Sequence, residues 1–298
     1  MMLERNDVEF RAMDGTTLSA WLYRPAELRG PAPAVTMAHG FGATKEHGID
    51  KVARAFAEAG FVVLLHDHRN FGTSGGTPRH DIDPWRQIED WRQAITYLES
   101  LDHVAPDHIG LWGTSYAGGH AIVLGATDRR LRAVVAQTPT IDGYAAGLRR
   151  VAPHDLAAVE AALDDDLRAQ LRGAPPQTRK LVDSDPSVSA QYHARDTVDF
   201  LLQPVPPGIW RNEITLQSNR RARMYEPGQW VGRVSPTPLL MIVAEHDTTA
   251  LTDLALAAYE RALEPKQLVI LPGGHYAGYF DEFERSSQAA IDWFGHHL

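Results

Sequence analysis

Ile109-Gly110-Leu111-Trp112-Gly113-Thr114-Ser115-Tyr116-Ala117-Gly118-Gly119 is the stretch that decides the fold. A short apolar strand over 109–112 runs into a serine flanked by glycine, and small residues follow that can start a helix over 116–126. Such a turn holds the serine in a cramped backbone conformation and lifts its hydroxyl clear of the sheet. Small neighbours are required because nothing larger fits where strand and helix nearly touch. The hydroxyl then stands at a helix N-terminus, where free N–H groups and the helix dipole favour negative charge. That suits a nucleophile whose attack creates an oxyanion. From these residues alone, a plain Gly/Ser loop between strand and helix would read the same.

Two other residues occupy comparable places. Asp247 follows the apolar run 239–244, and His275 follows the run 268–271 and the turn Pro272-Gly273-Gly274. The chain order is Ser, Asp, His, each just past a predicted strand. With these three residues the sequence resembles the α/β-hydrolase superfamily, from about Val8 to the C-terminus. The family pattern G-x-S-x-G is met by Gly113-Thr114-Ser115-Tyr116-Ala117, with alanine in the last place. One extra methyl at a tight contact is expected to shift the helix slightly, while Gly118 and Gly119 keep the next positions small.

Ser115 is the expected nucleophile, and it needs a base to take its proton. His275 is the candidate base, in a glycine-rich loop that lets an imidazole reach over the sheet edge. Asp247 is the candidate acid that fixes the imidazole tautomer and stabilises the imidazolium. Asp142 after the preceding strand and Glu245 are the alternatives. The superfamily likeness implies an oxyanion hole from the N–H of Tyr116 and an N–H in His39-Gly40-Phe41-Gly42, for which Phe41 is the choice. His39 itself is expected to brace the loop. The run from Asp67 to Gly76 resembles the superfamily's D-x-R-x-x-G-x-S-x-G loop, in which aspartate and arginine tie neighbouring loops together. His66 and His68 share a strand side but Asp67 does not, so no metal site is expected. No dinucleotide or P-loop fingerprint is present, and no cofactor is expected.

Along the chain, Asp14-Gly15 marks a β-hairpin between alternating segments at 8–12 and 17–23. Buried-strand runs at 34–38, 61–65, 109–112 and 133–136 alternate with helices at 51–59, 84–101 and 116–126. Asp83-Pro84 starts the second helix, with Trp85, Ile88, Trp91, Ile95 and Leu98 on one stripe. The fold class is therefore α/β, a mostly parallel sheet with helices on both faces. The rhythm breaks between residues 140 and 234, where helical stretches at 155–171 and 178–182 and proline-rich joints appear without a convincing strand. This reads as a mainly helical cap inserted into a core formed by residues 1–139 and 235–298. Strand and helix resume at 239–244, 252–263, 267–271 and 281–296.

The 298 residues carry 29 cationic and 38 acidic side chains, a formal charge of −9, and no cysteine. The charge argues against a nucleic-acid partner and an anionic membrane surface. The absence of cysteine fits a reducing compartment. Residues 1–7 show no apolar leader and no run reaches membrane-spanning length, so a cytoplasmic protein is expected. A homodimer is compatible with the sequence, which does not set the oligomeric state.

The reading is a serine hydrolase acting on a small-molecule carboxylic ester, thioester or lactone. The alternatives are an acyltransferase on the same machinery and a non-catalytic binding protein of the same fold. Epoxide hydrolase or dehalogenase chemistry is disfavoured, since it usually needs aspartate where Ser115 stands. Tyr116 beside the nucleophile also occurs in prolyl-peptidase and cocaine-esterase-like branches, which usually carry domains this sequence does not show. The stretch from Trp210-Arg211-Asn212-Glu213 to residues 238–243 resembles a dienelactone-hydrolase-like and fungal polyketide-transferase-like branch. Tyr144, Trp210, Met224, Tyr225 and Trp230 are the candidate pocket residues, being aromatic or soft.

Overall fold

The computed structural model describes residues 3–28 and 30–298. Met1 and Met2, which begin the stretch read above for a leader, lie outside them. Leu3–Arg11 (β1) and Thr17–Pro25 (β2) pair antiparallel, with Phe10 opposite Leu18. Gly15 turns the hairpin at φ +83°, donating its N–H to the Ala12 carbonyl at 2.9 Å. Glycine populates that left-handed region without a Cβ penalty.

Ala32–Ala38 (β3), Asp50–Glu58 (α1), Val62–His66 (β4), Pro84–Glu99 (α2), Val104–Thr114 (β5), Tyr116–Thr127 (α3) and Leu131–Gln137 (β6) follow in alternation. The Asp83 carboxylate caps α2, accepting from the N–H of Trp85 at 3.0 Å and of Arg86 at 3.3 Å. Ile88, Trp91, Ile95 and Leu98 are buried beneath that helix. Trp91 also donates its indole N–H to Thr36 Oγ1 on β3 at 2.8 Å. Trp85, expected on the same stripe, is half exposed in the first turn and meets the Tyr225 ring edge-on instead.

Gly143–Arg150 (α4), Leu156–Leu171 (α5), Thr178–Val182 (β7), Ala190–Tyr192 (β8), Arg195–Leu201 (α6), Ile214–Thr215 (β9) and Leu216–Arg223 (α7) occupy the stretch where the rhythm breaks. The expectation of helix at 178–182, with no strand nearby, is corrected here. β7 pairs parallel with β8 and antiparallel with β9 in a small second sheet. Five residues are too few to nucleate a helix alone, whereas two strand partners satisfy the backbone groups at once. Leu181 and Val182 are both fully buried, so the end of this strand is covered on both faces, while Thr178 and Lys180 are exposed.

Leu239–Ala244 (β10), Thr252–Arg261 (α8), Lys266–Leu271 (β11) and Phe283–His297 (α9) complete the chain. The main sheet runs β1-β2-β4-β3-β5-β6-β10-β11, and every neighbour pair from β4 onward is parallel. Helices cover both faces, as expected. α1 and α9 share one, where the Phe56 and Phe294 rings meet at 5.7 Å. α2 and α3 lie together on the other. Because β5, β10 and β11 are parallel, the loops that leave them emerge along one edge of the sheet.

Candidate active site

Ser115 sits between β5 and α3 at φ +55°, ψ −118°. A serine rarely adopts this backbone, and the surroundings hold it there. Its N–H donates to the Gln137 carbonyl at 2.8 Å, and its own carbonyl accepts from Thr140 N at 2.9 Å. A Cβ on Gly113 would fall 2.1 Å from the Ala117 carbonyl oxygen, and one on Gly40 would fall 2.9 Å from Ser115 Cβ. Both positions therefore need glycine. The alanine at 117 is accommodated and fully buried. The close approaches come at Gly118 against Pro139 and at Gly119 against Pro227 and Thr140.

The loops after β10 and β11 bring two of the expected residues to this serine. His275 Nε2 lies 2.9 Å from Ser115 Oγ, and His275 Nδ1 lies 2.7 Å from Asp247 Oδ2. The other carboxylate oxygen of Asp247 accepts from the N–H of Thr249 at 2.8 Å and of Ala250 at 2.7 Å. Burial pushes the Asp247 carboxyl up, but the facing His275 and these two N–H groups outweigh it and hold it below its usual range. Asp142 is employed elsewhere, capping α4 by accepting from Ala145 N at 2.8 Å. Glu245 is exposed.

Tyr116 supplies the first amide of α3, which no residue of the helix can accept from. Phe41 follows Gly40 on the loop after β3, and its ring meets the Tyr116 ring edge-on at 5.0 Å. His39 braces that loop. Its Nε2 accepts from His68 N at 3.1 Å, which puts the ring proton on Nδ1, 2.9 Å from the Gly40 carbonyl. Burial lowers its pKa to about 4, so the ring stays neutral. The Asp67 loop behaves as its pattern implies. Arg69 joins Asp90 on α2 to Asp14 in the β1–β2 turn, at 2.6 and 2.8 Å. Asp67 accepts from Lys45 N at 2.8 Å and Thr73 N at 3.0 Å, and pairs with the buried Lys45 ammonium. That lysine was not legible as structural, since a buried lysine has no sequence signature.

A cavity of about 370 Å³ opens on Ser115 and is lined by Phe41, Tyr116 and Tyr192 among others. A second, of about 20 Å³, touches Ser115 and His275 and is walled by Phe200, Tyr276 and Tyr279. The five residues expected in the pocket lie outside both linings. Tyr144 and Met224 point to solvent, at 53% and 74% exposure. Tyr225 is buried with its hydroxyl on His120 Nδ1 at 2.8 Å. Trp210 donates its indole N–H to the Gly42 carbonyl at 2.7 Å. Trp230 carries the Arg233 guanidinium 5.0 Å above its ring. Trp210 and Tyr225 fasten this stretch to the loop after β3 and to α3, and the large cavity mixes arginines with aromatic, aliphatic and small residues. Arg150, Arg179, Asn219 and Arg223 line it. They are scattered through the sequence, and only folding gathers them.

A strained serine at the turn from β5 into α3, with an aspartate after β10 and a histidine after β11, defines an α/β-hydrolase. The family model for X-Pro dipeptidyl-peptidase (S15 family) matches residues 14–277, and the chain belongs to that family. Among curated relatives, a polyketide transferase, grgF, of Penicillium sp is 32% identical over 99% of this chain and 98% of its own length. A thiohydrolase of Eupenicillium brefeldianum is 32% identical, covering 91% of this chain and 87% of its own. The crystal structure of the α/β-hydrolase GrgF from Penicillium sp. sh18 superposes with a TM-score of 0.87 at 30% identity, over 99% of both chains.

Proposed function

We propose that this protein is a serine hydrolase that cleaves a carboxylic ester, thioester or lactone through an acyl-enzyme. The observation that carries the reading is the continuous hydrogen-bonded line from Ser115 Oγ through His275 to Asp247. Ser115 Oγ attacks the carbonyl carbon as His275 Nε2 takes its proton. Asp247 stabilises the imidazolium so formed. The carbonyl oxygen, now negative, accepts from the N–H groups of Tyr116 and Phe41, each worth on the order of 3 kcal/mol in the transition state. Protonated His275 hands its proton to the leaving oxygen or sulfur. Water then attacks the acyl carbon as His275 takes its proton, the bond to Ser115 Oγ breaks, and His275 returns the proton to that oxygen as the acid leaves. In this reading, residues 140–234 form the cap that shapes the substrate cavity.

The name of one relative, a thiohydrolase, supports hydrolysis, and that of another, a polyketide transferase, supports a second outcome of the same first step. An alcohol in place of water would make this chain an acyltransferase. Release of 4-nitrophenol from acyl esters of increasing length tests the first step, with Ser115→Ala as the blank. Serine-dependent release is expected, with Ser115→Ala lower by several orders of magnitude and still folded. Equal release by the variant would remove Ser115 from the chemistry. Adding simple alcohols and measuring the ratio of ester to acid product then separates transfer from hydrolysis.

A further inference from the structure

Three arginines line the larger cavity: Arg150 at the end of α4, Arg179 on β7 and Arg223 at the end of α7. Asp142 is the acidic residue on the same wall, in a chain whose formal charge is −9. Arg223 pairs with Glu160. Among the described residues, Arg150 and Arg179 have no carboxylate within salt-bridge reach, and donate instead to the backbone carbonyls of Thr249 and Ala190. Arg150 is also set over the Tyr192 ring at 5.1 Å.

Four polar atoms of the lining residues are not satisfied by the protein. The Nε groups of Arg179 and Arg223, the Tyr116 hydroxyl and Asn219 Oδ1 are buried without a partner. A buried donor without an acceptor is costly, and a charged one more so. Burial lowers the Arg179 pKa from the ordinary arginine value, the reverse of what a facing anion does. A neutral, apolar acyl chain would leave all four atoms as they are. An oxyanion entering the cavity would give the Arg179 and Arg150 side chains the anionic partner that the protein does not supply. The oxygen that becomes negative at Ser115 is served by backbone N–H groups in the reading above, so these side chains address a different group of the substrate.

We propose that this cavity selects substrates carrying an oxyanion, a carboxylate or a phosphate, and that Arg179 is the specificity residue that binds it with Arg150 beside it. The identity of the molecule carrying the anion rests on the acyl-enzyme reading; the anion site itself does not. The charge has two sources, the acyl chain or the leaving group, and two matched pairs of substrates separate them. Mono-4-nitrophenyl glutarate against 4-nitrophenyl valerate puts the charge on the acyl side. The butyryl thioester of 4′-phosphopantetheine against that of pantetheine puts it on the leaving side.

kcat/KM is measured for wild type, Arg179→Gln, Arg179→Lys, Arg150→Gln and Arg172→Gln, the last an exposed arginine ending α5 outside the cavity. The charged member of one pair is expected to win at least about tenfold, mainly through KM, with the margin shrinking as salt rises. Arg179→Gln brings the ratio towards one, Arg179→Lys keeps part of it, Arg150→Gln lowers it, and Arg172→Gln keeps the wild-type ratio. Ratios near one for both pairs in wild type, or a wild-type ratio in Arg179→Gln, overturn the proposal. Absence of serine-dependent turnover would fault the acyl-enzyme reading instead. Calorimetric titration of Ser115→Ala with glutarate and inorganic phosphate then decides the anion site. Heat from either ligand that vanishes on adding Arg179→Gln supports it, and no heat from either rejects it.

Discussion

Asp142 and Asp247 were both open as the acid, because each follows a strand next to the central ones. The structure gives them different employment. Asp247 faces His275 Nδ1 at 2.7 Å, and Asp142 caps α4. Asp247→Asn should therefore lose roughly 10⁴-fold in kcat by presenting the wrong imidazole tautomer. Asp142→Asn keeps a good cap residue and should stay within a few-fold of wild type. Steady-state kinetics on any serine-dependent substrate checks both. A large loss from Asp142→Asn with Asp247→Asn spared would put the acid on the other strand. Ser115, Asp247 and His275 could be picked out because each follows closely on an apolar run, although Asp142 and Glu245 stood in comparable places. Arg179 could not. The role proposed for it rests on a missing carboxylate and a buried Nε, and neither is written in the residues beside it.

At the scale of elements, the loop after β3 and the loop after β4 are fastened by one buried ion pair, Lys45 with Asp67. Removing one partner of such a pair strands the other charge in the interior. Lys45→Met should cost about 3 kcal/mol in urea unfolding, somewhat relieved by the two backbone N–H groups that Asp67 keeps. Lys45→Met with Asp67→Asn should cost less than the two single changes added together. Simple additivity would mean the pair does not couple. Elements with strong local signals were legible. Asp83-Pro84 starts α2 and Asp14-Gly15 turns the first hairpin, because capping and left-handed backbone are local requirements. Thr178–Val182 was misread because its strand state comes from partners that follow it in the chain, Ala190–Tyr192 and Ile214–Thr215.

Across the whole molecule, four histidines are buried beneath the site. His68 lies 4.7 Å from His39, 5.3 Å from His66 and 5.5 Å from His120, between ring centroids. Lys45 and Asp67 neighbour the His39 end, and Gln87 and the Tyr225 hydroxyl bond His120. Burial lowers His39 to about 4, His66 and His120 to about 3, and His68 well below its ordinary value. In the unfolded chain they titrate near the ordinary 6.5, so below that pH the unfolded state binds more protons and stability falls. The loss begins as pH drops through about 6.5 and continues towards the folded-state values. At pH 5 each histidine costs on the order of 2 kcal/mol. Urea midpoints at pH 7, 6 and 5 should fall steeply, well above the range where Asp247 titrates; a flat profile over that window would mean these rings take protons while folded. The core sheet was readable because its apolar runs recur along the chain. The histidine cluster was not, because it joins residues from β3, β4 and α3 and their loops.

Ser115, His275 and Asp247 hang from the ends of sheet strands, whereas Arg150, Arg179, Asn219 and Arg223 all come from the stretch between β6 and β10. On the proposed reading, the reacting groups and the anion-selecting arginines occupy separate stretches of one polypeptide. A lineage built this way can change its diet without relearning its trade: drift in the middle of the chain re-aims the cavity while the strand ends stay as they are. For an engineer, the same partition marks residues 140–223 as the place to recombine.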